Sequence, residues 1–456
     1  MSNTISMLKS INKVFVLGGL FILLLFLPLL DPEYGYLYLV NLLALFTFYF
    51  TLNKPLYKSE IYFTKGRLGY IIFFYSLFYV FLNKVLSYYY RENFFVFSEV
   101  DAVGYHEGAI VMASQSFMES IDYAKETWGV QKISIGPFII ISTLYRLIES
   151  NLLLTILYIF VGLITSFSIF RIAKNFMSAK YSFLCALTYS TSSFVIWFHS
   201  SGLKESFMVM LILLFFDFYY RYHRFKRIKY LLLAIVFLLS ITLFRPAVMF
   251  LCGGALIISV LLTIKKKKIA FLILLSAVII LIIATYSYLD TIVITYLGGD
   301  INQLIAGREE EGMVKGSLPF TYAVNVLSSL AGPLPNVLPN TKQMLSLFSI
   351  GLIYRVFMTA AFVLGIFYCI REKITLMYPI LCFMLMEMLS LTIILEALEL
   401  RKSLPHFPFI YIIAFWFLDY YDKKAIDSRV ERRRIKYLFN ISFALFFTLI
   451  VYWNYR

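Results

Sequence analysis

The 456-residue chain is 61% hydrophobic and 19% aromatic, with a mean hydropathy of +0.81 and a formal charge of +15. Those values exclude a soluble globular enzyme, and basic residues scattered in short loops argue against a nucleic-acid partner. Four cysteines at no metal-ligand spacing, no glycine-rich phosphate loop and no nucleotide fingerprint exclude a zinc scaffold and an ATP-driven machine.

Apolar runs of about 16–24 residues recur from end to end, close to the length that crosses a hydrocarbon core. Helices are expected, because lipid offers backbone groups no other partner. The first run follows Lys9 and Lys13 like a signal peptide. It ends in Leu29-Leu30-Asp31-Pro32-Glu33 without a small-x-small cleavage site, so it reads as an uncleaved first helix. The fold class expected is all-α and polytopic, a single membrane domain with about thirteen crossings. They are predicted at 14–30, 36–52, 68–86, 151–172, 181–199, 205–220, 230–244, 247–264, 269–288, 346–369, 374–395, 408–418 and 437–454.

Alternating these crossings from an inner N-terminus puts roughly 27 of the 41 Lys and Arg on the inner side, as the positive-inside rule requires. The expectation is a multi-pass protein of the inner or plasma membrane, with lipids around it. Its N-terminus is then cytoplasmic and its C-terminus extracytoplasmic. Two long loops, 87–150 and 289–345, fall outside.

The first outer loop holds Asp101-Ala102-Val103-Gly104-Tyr105-His106-Glu107-Gly108-Ala109, a polar island in an apolar chain. A helix is predicted over Ser98–Ile121, opened by Ser98-x-x-Asp101 at capping-box spacing. Asp101, Tyr105, Gly108 and Met112 then share a face. Gly104, Gly108, Ala109 and Ala113 would admit a second backbone or a ligand. Two compatible readings of Asp101 stand: a helix cap, or a capped helix start that also presents a carboxylate. The apolar run from Gly136 to Ile148 is too short to cross and contains Arg146, so it is predicted to lie on the outer surface.

Three predicted helices open on the outer side beside cations: Ser201-Gly202-Leu203-Lys204-Glu205, Arg245-Pro246, and Arg401, Lys402 and His406 ahead of Pro408. Helix N-termini carry free amides and positive dipole ends, so a neighbouring cation completes a phosphate site. Snorkelling to lipid headgroups accounts for any single one; three together point to an anionic ligand. His106, His199 and His406 fall outside without zinc-motif spacing, and His223 sits among inner basic residues. Glu387, mid-helix, reads as either a protonated structural group or a functional one. Asp217 reads as interfacial. Arg308, in an Arg-Glu-Glu-Glu loop tip, is a further candidate ligand contact.

These residues together resemble the GT-C class of integral-membrane glycosyltransferases that use polyprenyl-phosphate-linked donors. Members carry Asp-Glu-x-x-Tyr-x-x-x-Ala in the first large outer loop; Asp101, Tyr105 and Ala109 match, and Ala102 replaces the second acid. Gly136-Pro137 to Ile148 followed by Asn151 to Ala173 is similar to the surface helices and return helix of that class. Leu243-Phe244-Arg245-Pro246 and Arg401 to Pro408 resemble its Arg-Pro turn and its late basic helix entry. The resemblance places two extra N-terminal helices in 1–67, the core in 68–288 and variable helices in 289–456. It implies a sugar moved from a polyprenyl-phosphate-linked donor to a lipid-linked or glycan hydroxyl acceptor on the outer face. Asp101 would act as general base, with Tyr105, His106, Glu107, Lys204, Glu205, Arg245, Arg308, Arg401, Lys402 and His406 binding substrate. No cofactor is implied with certainty; a divalent metal is compatible, though no metal ligands are assigned. Two other functions fit the same chain. One is a polymerase of lipid-linked polysaccharide repeat units, for which the 289–345 loop would serve. The other is a lipid or solute transporter, with Glu387 lining its path.

Overall fold

The computed structural model describes residues 7–96, 101–127, 135–263, 317–338, 345–393, 397, 399–424 and 429–455. Among these residues the chain is all-helical. Eight helices are long and apolar enough to cross a membrane: Met7–Leu29, Pro32–Tyr57, Lys65–Arg91, Asn151–Ala173, Pro246–Thr263, Ser346–Arg371, Thr375–Ile393 and Arg433–Asn454. These helices mark a multi-pass membrane protein.

The other predicted crossings come out differently. The 181–199 run breaks at Ser192 into Ala179–Thr191 and Ser193–Ser201. Glu205–Phe225 has the length to span but carries Glu205, Asp217 and Arg221, and Phe407–Lys424 ends in a charged turn. Ile228–Ile241 has 14 residues, about 21 Å at 1.5 Å per residue, short of a 30 Å core. The predicted crossing at 269–288 lies outside the described residues.

The chain divides into two compact units, Met1–Phe244 with Leu334–Tyr368 and Ile410–Arg456, and Arg245–Pro333 with Cys369–Phe409. The first contains α1 (Met7–Phe26), α2 (Gly35–Asn53), α3 (Lys65–Arg91), α4 (Asp101–Ala113), α5 (Phe117–Thr127), α6 (Gly136–Tyr145), α7 (Asn151–Ala173), α8 (Ala179–Thr191), α9 (Ser193–Ser201), α10 (Glu205–Phe225) and α11 (Ile228–Ile241). The second contains α12 (Pro246–Thr263), α13 (Leu318–Ala331) and α15 (Tyr378–Ile393). Helix α14 (Ser349–Arg371) lies mostly in the first unit, as does α16 (Phe407–Lys424), while α17 (Arg429–Tyr455) lies wholly in it.

The core of the first unit is aromatic. Trp197 and Phe194 of α9 pack edge-on against Phe348, and Phe15, Phe48 and Tyr354 form a mutual T-shaped cluster joining α1, α2 and α14. Helix α14 approaches the start of α9 so closely that a Cβ at Gly351 would lie 2.8 Å from the Phe194 amide; the Gly351 amide donates to Ser193 Oγ at 2.8 Å. By contrast, α17 has only 17% of its most apolar stretch buried and turns most of its side chains outward.

At one end of this unit, Asp217 is buried and accepts from Arg171 Nε at 2.7 Å and Arg221 Nε at 3.2 Å. Lys65 lies within electrostatic reach of all three. From α16, Asp419 caps α8 through the Ser178 amide and hydroxyl and also takes Lys423. Asp217 is thus a buried ion-pair centre for Arg171 and Arg221.

Two expectations for the outer loops are corrected. The helix predicted over Ser98–Ile121 is two helices, because Ser116 and Glu119 form a reciprocal capping box that starts α5: the Ser116 amide donates to Glu119 at 2.9 Å and the Glu119 amide to Ser116 Oγ at 3.4 Å. Ser98 lies outside the described residues, and the described helix begins at Asp101. The 289–345 loop contains a helix, α13, in its described part. The short α6 does lie against another element, burying Phe138, Ile141 and Tyr145 on the side that packs on α4.

Candidate functional site

In the first unit, α4 lays its small residues Gly108 and Ala109 toward the core, together with Tyr105 and Met112. The face expected to greet a ligand is thus largely taken by α6: Tyr105 meets Phe138 edge-on at 5.3 Å, and His106 Nδ1 pairs with the Tyr145 hydroxyl at 2.6 Å. Asp101 is half-buried one turn before Tyr105, and Glu107 is exposed. Burial pushes the His106 imidazole below its ordinary pKa, with Glu149 and Glu107 opposing and Lys84 reinforcing. Burial, with Glu149, pushes the Tyr145 hydroxyl up to about 12. Lys84 is held under this cluster by the Phe94 carbonyl at 3.3 Å and the Phe95 ring.

Glycine at 202, with φ +76°, closes α9 in the left-handed region and turns the chain into α10. Its carbonyl accepts from the Tyr158 hydroxyl at 2.6 Å. Lys204 is half-buried at the N-cap of α10, and Glu205 follows as the first helical residue, 1% exposed. Tyr105, Glu205 and Tyr145 all act electrostatically on the Tyr158 hydroxyl. The structure therefore gathers Tyr105, His106 and Glu205 about two tyrosines, Tyr145 and Tyr158, that the sequence reading did not single out. His199 is buried in α9 and packed against Gly162.

The second unit brings together the other cationic positions. Arg245 immediately precedes α12, and Arg401 and Lys402 lie in a 3-10 turn, Leu400–Ser403. Glu399 pairs with Arg401 and with Lys402 at 3.7 Å, and Arg245 acts on the same carboxylate. Burial opposes ionisation of Glu399, but Lys402, Arg401 and Arg245 outweigh it and hold the carboxyl below its ordinary pKa. The segment is fixed from α13: Ser328 Oγ donates to the Ala397 carbonyl at 2.9 Å, and the Ala397 amide donates to Asn325 at 3.0 Å. His406 Nδ1 stands 3.5 Å from Glu387, both buried, and Arg245 acts on Glu387 as well. Arg308 lies outside the described residues. No protein-family model, curated protein or solved structure matches this chain.

Among the described residues, no group of three His, Cys, Asp or Glu side chains could hold a metal ion. Ala102, where a second acid would stand, is buried at 1% exposure. Two charged residues were missed from the sequence. Glu399 is one. Arg355 is the other: fully buried in α14, it donates to Thr359 at 2.9 Å beside the Phe362 ring. A lone Arg inside an apolar run was the available signal.

Proposed function

We propose that the chain is a polytopic membrane glycosyltransferase in a GT-C-like arrangement. It moves a sugar from a polyprenyl-phosphate-linked donor to a hydroxyl acceptor on the extracytoplasmic face. One observation carries this reading: Arg245, Arg401, Lys402 and His406, far apart in sequence, belong to one cluster on Glu399 and Glu387. A phosphate suits the Arg and Lys donors of such a cluster.

The chemistry then follows residue by residue. Asp101 accepts the acceptor hydroxyl's proton as that oxygen bonds to the anomeric carbon. The bond from that carbon to the lipid phosphate oxygen breaks, with inversion. The electron pair leaves on the phosphate oxygen. A lipid phosphate is already a good leaving group, so one carboxylate suffices.

The test uses purified full-length protein in lipid vesicles with prenyl-phosphate-linked sugars. Asp101→Asn should abolish transfer while donor binding persists; near wild-type transfer by that variant overturns the base assignment. Single-sugar products support a transferase, whereas a ladder of products assigns the polymerase activity instead.

A further inference from the structure

Glu205 poses a physical problem. Both of its carboxylate oxygens are buried, and neither has a hydrogen-bond partner. A buried carboxylate without donors costs several kcal/mol unless something completes it. Glu205 stands in the first turn of α10.

The neighbouring side chains withhold their protons. Tyr158 donates to the Gly202 carbonyl and so turns lone pairs, not a proton, toward Glu205. The Tyr145 hydroxyl is engaged at His106. A completing ligand must therefore bring its own donors. A cationic ligand is disfavoured by Lys204 next in the chain and by Lys84, which acts on His106. Neutral vicinal hydroxyls meet the requirement: two O–H groups can bond two carboxylate oxygens, and tyrosine rings cover the C–H face of a sugar.

We propose that Glu205 is the hydroxyl-accepting carboxylate of a sugar subsite walled by Tyr105, Tyr145 and Tyr158. The assignment rests on the sugar-transfer reading above and gives that reading its sugar contact.

Binding of prenyl phosphate alone, and of prenyl phosphates carrying a hexose, an N-acetylhexosamine or a pentose, is measured on full-length protein in vesicles. Wild type should bind at least one sugar-bearing lipid about ten-fold or more tighter than the bare lipid, the range expected for hydrogen bonds to a charged group. Glu205→Gln, which keeps the shape and removes the charge, should erase that preference and leave the bare lipid's affinity within about two-fold. Should that variant fail to fold, wild type supplies the test through singly deoxygenated donors, of which at least one should bind about ten-fold more weakly. A preference that survives Glu205→Gln, or deoxy donors that all bind like the parent, overturns the subsite alone. Wild type that binds neither bare nor sugar-bearing lipid overturns the lipid-phosphate reading together with it.

Discussion

Glu387 Oε2 and His406 Nδ1 face each other at 3.5 Å, with both residues almost fully buried in the second unit. Replacing one partner leaves the other buried without its neighbour. His406→Ala is expected to destabilise the protein by about 2–4 kcal/mol, whereas Glu387→Gln with His406→Asn should cost less than the two singles combined. Unfolding in mixed micelles, read as a double-mutant cycle, measures the coupling. Strict additivity would mean that the two side chains do not act on each other.

In the same unit, Glu399 competes with an incoming anion for Arg401, Lys402 and Arg245. Glu399→Gln should tighten prenyl-phosphate binding by roughly five-fold, about 1 kcal/mol for removing one nearby charge near the surface. Arg245→Ala should loosen it. Because the Glu399 carboxyl is held below its ordinary value, its contribution to stability is present above the unfolded-state pKa and is lost as pH falls through the lower folded value. An acid titration of Tm comparing wild type with Glu399→Gln reads this directly, and identical acid limbs would refute it.

His106 titrates with the same sign for a different reason. Burial lowers its folded pKa, so unfolding takes up a proton. Stability from the neutral imidazole is complete above the unfolded value and declines as pH falls toward the folded one. His106→Asn should flatten the fall in Tm between pH 7.5 and 5.5. A variant that keeps the wild-type slope would place the titrating group elsewhere.

Buried Asp217 holds two partly exposed arginines. Arg171 lies 2.6 Å away, whereas Arg221 is one turn along the same helix at 3.2 Å. Asp217→Asn is expected to cost about 3 kcal/mol, since it leaves two guanidinium groups without their acid, while Arg221→Gln should cost under about 1 kcal/mol. Detergent-unfolding midpoints of the two variants give the comparison, and equal losses would contradict it.

Much of this organisation was legible in the chain because membrane helices announce themselves by length. Where length and charge disagreed, the reading slipped. Helices α8 and α9 read as one crossing because Ser192 looks neutral among apolar neighbours, yet the backbone turns there. The rule that opened a helix at Ser98 was sound in kind, and its clearest case stands at Ser116 and Glu119, inside the stretch read as continuous. Glu399 escaped notice because its partners lie two and three residues on in a 3-10 turn, where helical spacing does not look. Tyr145 and Tyr158 matter through neighbours on other helices, which no local pattern encodes. Arg245 and the Arg401–His406 segment, by contrast, were flagged by helix openings alone and do share a cluster.

The contact at Gly351 has a kinematic consequence. With the Phe194 amide 2.8 Å from where a side chain would begin, and the Gly351 amide tied to Ser193, α14 and α9 have no clearance to slide past each other. Translation along that seam would drive side chains from either neighbouring turn into backbone. Any shape change that the first unit makes must pivot about this point, so it becomes a fulcrum, and a bulkier residue at 351 would push apart the backbones that meet there.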